Sequence, residues 1–88
     1  MYKILLVDDE PDNLALLYRT LRGKYEITKT TSPIEALKIL DEQHIDLVIS
    51  DHKMPEMDGV EFLKRVYDKH PDTMRLLVTA YTDATILI

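Results

Sequence analysis

The chain alternates between two hydrophobic periods. Ile4-Leu5-Leu6-Val7 is a short unbroken apolar run, as expected of a strand buried on both faces. It stops at Asp8-Asp9-Glu10, and Pro11 then suits the first turn of a helix. Leu14, Leu17, Tyr18 and Leu21 fall on one face at helical spacing, and Gly23 follows as a stop. Tyr25 to Thr30 alternates weakly and is rich in β-formers, which predicts a second strand nearer an edge. Ser32-Pro33-Ile34-Glu35 has the spacing of a capping box, with Pro33 at the first helical position. Ala36, Leu37 and Leu40 supply the apolar face of the helix that follows.

Leu47-Val48-Ile49 predicts another buried strand, and it too runs into an acid, Asp51. A loop from His52 to Met57 leads to Asp58, placed to cap a third helix with Phe62, Leu63, Val66 and Tyr67 as its core face. His70-Pro71 ends that helix. Leu76-Leu77-Val78 predicts a fourth strand, closed by Thr79-Ala80, and Thr82 is placed to cap a further helix. Strands alternating with helices predict an α/β fold: an open, doubly wound parallel sheet with right-handed crossovers and helices on both faces.

Composition narrows the class. The 88 residues allow one domain, spanning 1–88, and the 45% hydrophobic and 31% charged content is that of a globular chain. Sixteen acidic against 11 basic residues give a formal charge of −5, and no basic cluster is present to neutralise phosphates, so direct nucleic-acid binding is not expected. Without cysteine there is neither disulfide nor thiolate metal site. The apolar run near the start is too short for a signal peptide or a membrane span, so a soluble, cytoplasmic protein is expected.

Candidate chemistry follows from the topology. In open parallel sheets, ligands bind beyond the carboxyl ends of the strands, where strand order reverses. The first strand delivers Asp8 and Asp9 to that end, the third Asp51 and the fourth Thr79. If the first and third strands are neighbours, three carboxylates converge, and their repulsion calls for a cation. An all-oxygen donor set suits Mg2+ better than a softer metal. With a cation bound, one carboxylate can act as nucleophile towards a phosphoryl group, to which Thr79 could donate a hydrogen bond. Lys53 stands two residues past Asp51, where its backbone carbonyl is better placed than its ammonium to reach a metal.

Plainer readings compete residue by residue. Acids at strand ends are often solvated loop residues or helix caps, and Glu10 and Asp12 are read as complements to a helix dipole. His44 and His70 sit at helix ends, where histidine commonly meets the C-terminal dipole. Met54 and Met57 are assigned to packing. Acids after two separate buried strands, with a hydroxyl after a third, favour a cation-binding pocket over coincidence.

Lys3-Ile4-Leu5-Leu6-Val7-Asp8-Asp9-Glu10, then Asp51 with Met54-Pro55 and Met57-Asp58-Gly59, then Val78-Thr79-Ala80, together resemble the response-regulator receiver domain. The resemblance covers the whole chain, with its motifs in the family's order and spacing. It implies a flavodoxin-like sheet of order 2-1-3-4, continuing to a fifth strand in complete members. It implies that Asp51 is the phosphoacceptor, taking its phosphoryl group from a sensor histidine kinase or a small phosphodonor. Asp8, Asp9 and Asp51 would then hold Mg2+ with the Lys53 carbonyl, and Thr79 would be the switch hydroxyl. Ala80 is similar to the small residue beside the switch, and Pro55 and Gly59 match residues that shape the loop after the phosphoacceptor. Such domains act as switches that catalyse at most their own phosphorylation and dephosphorylation.

The chain also departs from the family. The rest of the fourth helix, the fifth strand and the fifth helix have no counterpart, nor has the strand-ending lysine that meets the phosphoryl group. A C-terminally truncated receiver is therefore expected, with weakened phosphorylation. Leu76-Leu77-Val78 is expected to be an exposed edge through which the chain self-associates or swaps segments. Thr85-Ile86-Leu87-Ile88 opens a helix in the family, yet it is β-branched enough to pair as a strand with a neighbouring molecule. Two other functions stand against the phosphoacceptor. One is a receiver-derived interaction module without phosphotransfer. The other is a nucleotide binder on the same topology, which would need a phosphate-cradling loop where Asp8-Asp9-Glu10-Pro11-Asp12 stands.

Overall fold

Each buried apolar run forms a strand, the first ending just before Asp8 and the third ending on Asp51. β1 (Lys3–Val7), β2 (Glu26–Thr30), β3 (Leu47–Asp51) and β4 (Met74–Val78) are separated by α1 (Pro11–Leu21), α2 (Pro33–Glu42) and α3 (Gly59–Lys69). The structure, a computed structural model, describes residues 1–78 and the backbone of residues 85–87; the expectations placed on Thr79, Ala80 and Thr82 lie outside the described residues. β1 pairs in parallel with β2 and β3, and β3 with β4, giving the order 2-1-3-4 that the resemblance implied.

One expectation is overturned. β4 is not an open edge, because β5 (Thr85–Leu87) lies antiparallel against it, with Thr85 opposite Leu77 and Leu87 opposite Arg75. The β-branched segment does pair as a strand, but with its own chain rather than a neighbour. The ladder groups of β4 that were to recruit another molecule are thereby engaged.

The alternating side chains of β1 and β3 divide the core in two. Leu5, Val7 and Val48 meet Ala36 and Leu40 of α2 and Phe62, Leu63 and Val66 of α3. Ile4, Leu6 and Ile49 meet Leu14 of α1, flanked by Leu17, Tyr18 and Leu21. Met54 and Met57 are buried in the first cluster, as their assignment to packing requires. Tyr67 departs from its expected core role: it is 50% exposed and stacks on the Arg75 guanidinium at the margin of α3.

Caps fix the helix starts. The Asp58 carboxylate accepts the Glu61 amide at 2.9 Å, and the Ser32 hydroxyl accepts the Glu35 amide at 3.1 Å. The second half of the expected capping box is relayed through a third residue. The Thr30 hydroxyl donates to the Glu35 carboxylate at 2.6 Å and accepts the Ser32 amide at 3.1 Å. Gly23, at φ +90°, follows α1 in the left-handed region that glycine occupies without strain.

At the far end of the sheet the two histidines pair with carboxylates. His70 Nε2 lies 3.0 Å from Asp41 and His44 Nε2 2.7 Å from Asp46, whose other oxygen accepts the Lys3 amide at 2.8 Å. Both carboxyls are held below their ordinary value of 3.8, Asp41 chiefly by its bond to His70 and Asp46 chiefly by the Lys3 amide. A folded-state pKa below the unfolded one gives stability that is present above pH 3.8 and is lost as pH falls through the depressed values. Asp46→Asn is therefore expected to lower stability near neutrality and to flatten the acid limb, the two chains converging well below that pH. Acid titrations of both chains followed by circular dichroism check this, and coincident acid limbs would contradict it.

Candidate metal and phosphoacceptor site

Because β1 and β3 are neighbours and end in step, with Val7 opposite Ser50, their following acids meet. Asp8, Asp9 and Asp51 each offer a carboxylate oxygen within 4.8 Å of the others. Asp8 is buried, while Asp9 and Asp51 are partly exposed. Burial pushes the Asp8 carboxyl above its ordinary value, opposed by the Glu10 amide, and the negative charge of Asp51 adds to the rise. The Glu10 amide donates to Asp8 Oδ1 at 2.9 Å, so Glu10 serves the site through its backbone rather than only as a helix-dipole acid.

The loop after Asp51 closes tightly. The Gly59 amide donates to the His52 carbonyl at 2.7 Å, which brings the start of α3 against the end of β3. A Cβ at position 59 would collide with the Asp51 carbonyl oxygen and stand 2.8 Å from Leu77 Cδ1. Sequence reading assigned Gly59 a loop-shaping role through the resemblance; the close approach shows why the side chain must be absent. The Ser50 hydroxyl, fully buried, donates to the same Asp51 carbonyl at 2.9 Å, a contact no pattern in the sequence signals. Lys53 is exposed on this loop. Thr79 follows Val78, the residue opposite Asp51 in the β3–β4 ladder, and itself lies outside the described residues.

The donor set fits a hard divalent cation. Its oxygens converge, one donor is withdrawn from water, and the metal-free cluster is electrostatically costly. Magnesium is expected to raise the thermal midpoint of the chain, by about 2.7 kcal/mol of stability at a hundred times its dissociation constant. Asp8→Asn should stabilise the metal-free chain by removing a buried charge and should abolish most of the magnesium response. Melting curves in EDTA and in magnesium chloride decide this, and an undiminished response in Asp8→Asn would show that the ion binds elsewhere.

Residues 4–88 match the family model described as the response regulator receiver domain. Among curated proteins, the chain is 35% identical over 85 residues to the hydrogenase transcriptional regulatory protein HoxA of Cupriavidus necator, covering 97% of this chain and 18% of that protein. Among solved structures it is 40% identical to the response regulator TrrA of Thermotoga maritima in complex with Mg2+-BeF, with a TM-score of 0.88 over 93% of this chain and 72% of that one. TrrA in complex with the histidine kinase ThkA gives a TM-score of 0.87 at the same identity. The chain thus spans less than a fifth of HoxA and under three-quarters of TrrA.

Proposed function

Since the chain belongs to the response regulator receiver domain family, whose members accept phosphoryl groups from histidine kinases, we propose that it is a magnesium-dependent phosphoacceptor and that Asp51 is the residue modified. The observation that carries this reading is the convergence of Asp51 with the buried Asp8 and with Asp9 at the carboxyl ends of two adjacent strands. TrrA, similar in sequence and fold, is complexed with a histidine kinase in one structure and with Mg2+-BeF in another, which supports both the donor and the metal.

Asp8, Asp9 and Asp51 would hold the ion, with the Lys53 carbonyl as the further protein ligand. Bound there, Mg2+ would offset the charge of the incoming phosphoryl group. A carboxylate oxygen of Asp51 attacks phosphorus in line with the leaving group. The new bond is an acyl phosphate, and the bond to the donor's imidazole nitrogen or acyl oxygen breaks with its electron pair. Asp51 suits this role better than Asp8, being partly exposed where Asp8 is buried. Thr79, next in sequence to the residue opposite Asp51, is the hydroxyl proposed to meet a phosphoryl oxygen.

Acetyl phosphate with magnesium tests the reading. A hydroxylamine-labile phosphoryl group on Asp51 that forms only with the metal supports it. Label on another residue, or no label under conditions where TrrA is labelled, would turn the assignment towards an interaction module without phosphotransfer.

A further inference from the structure

Arg75 occupies a position on β4 that a hydrocarbon side chain could fill at far lower cost. It is 7% exposed, although a guanidinium stays charged at any physiological pH. Its Nε is buried with no hydrogen-bond partner, and among the described residues no carboxylate pairs with it. Its described contact is the ring of Tyr67, 4.6 Å from the guanidinium carbon to the centroid. Stacking of that kind gives Nε no acceptor, and the in-plane donors of a guanidinium match a carboxylate.

The surroundings extend the site. Tyr67 is 50% and Val60 41% exposed, and their seven-residue spacing places both on one stripe of α3. Lys64 stands exposed between them on the same face, and among the described residues no carboxylate pairs with the Arg75 cation beside it. A second polypeptide segment laid along α3 would cover the stripe and, with the half-exposed Tyr67 ring turned aside, bring a carboxylate to the guanidinium edge.

We propose that the α3–β4 margin is a docking site for an acidic polypeptide segment, with Arg75 receiving the carboxylate and Val60 and Tyr67 the adjoining apolar side chains. The site is remote from the role of Asp51 and does not depend on phosphoryl transfer. Charge complementarity selects the occupant: a purely apolar partner would bury the guanidinium further and leave Nε unpaired.

The test follows the Arg75 Nε–Hε resonance of the full 88-residue chain during titration with two blocked pentapeptides. One carries a glutamate between leucines, and the other carries glutamine there. The expected result is a saturable shift with the glutamate peptide, at least about tenfold tighter than with glutamine, as a charge-assisted bidentate contact implies. That preference should vanish, by amide shifts at Tyr67, in Arg75→Met, a substitution compatible with folding because it replaces a buried charge with hydrocarbon. Equal shifts with both peptides, or none, overturn the proposal, as does a preference that survives in Arg75→Met. Acetate binding as tightly as the glutamate peptide would mean a small-anion site and overturn the docking surface. A shift that depends only on protein concentration would make a second copy the occupant, with the same consequence.

Discussion

Asp51→Asn is expected to give a folded chain that takes up no phosphoryl group from acetyl phosphate, a loss down to background. An amide is not a nucleophile towards phosphorus at neutral pH, and Asp8 and Asp9, though within 4.8 Å, are the residues proposed to hold the ion rather than to replace Asp51. The same substitution removes one of the charges that raise the Asp8 carboxyl. The metal-free variant should therefore melt above the native chain, by an amount on the order of 1 kcal/mol for one like-charge contact at a partly exposed site. Loss of labelling combined with a higher melting temperature separates a removed nucleophile from a damaged fold. Retained labelling would transfer the role to another side chain. A lower metal-free melting temperature would show that Asp51 is structurally stabilising and that repulsion does not dominate the cluster.

The sheet and its site end were legible because period and position carry most of the information. Runs such as Ile4–Val7 and Leu47–Ile49 are buried on both faces, and acids directly after such runs can only lie at the strands' carboxyl ends. What joined Asp8 to Asp51 was the adjacency of β1 and β3. That is a fact of strand order, supplied at first by family resemblance and not by the local pattern.

Contacts that depend on three-dimensional neighbours were not legible. Thr30 ends β2 and looks like an ordinary strand residue, yet its hydroxyl links Ser32 to Glu35 and replaces the direct return bond of a capping box. Tyr67 satisfies the helical period of a core residue but lies at the margin, where Arg75 of β4 supplies its neighbour. The segment 85–87 carried conflicting signals, β-branched residues against the family's helix, and the pairing with β4 fell on the side of local propensity. His44 and His70 were placed by helix-end logic alone, while their carboxylate partners depend on how the elements pack.

Gly59→Ala should be the most damaging single-methyl change in the chain. The added carbon would meet the Asp51 carbonyl oxygen, a backbone atom fixed in the β3–β4 ladder, together with Leu77 Cδ1 from the core. Neither can yield cheaply, so the start of α3 must move, at a cost near or above the ~1–3 kcal/mol typical of overpacking. For a domain of this size that is a fall in melting temperature of about 4–8 °C per kcal/mol. Because the collision is with Asp51 itself, magnesium affinity and labelling should fall together with stability.

Gly23→Ala provides the contrast. A Cβ there has nothing within 4 Å, and the strain comes only from the left-handed backbone at φ +90°. That variant should lose roughly 1–2 kcal/mol with its magnesium affinity intact. Thermal melts and metal titrations on both variants separate the two mechanisms. If Gly59→Ala loses stability yet binds magnesium as tightly as Gly23→Ala, α3 retreats without moving β3, and Gly59 supports the fold but does not position Asp51.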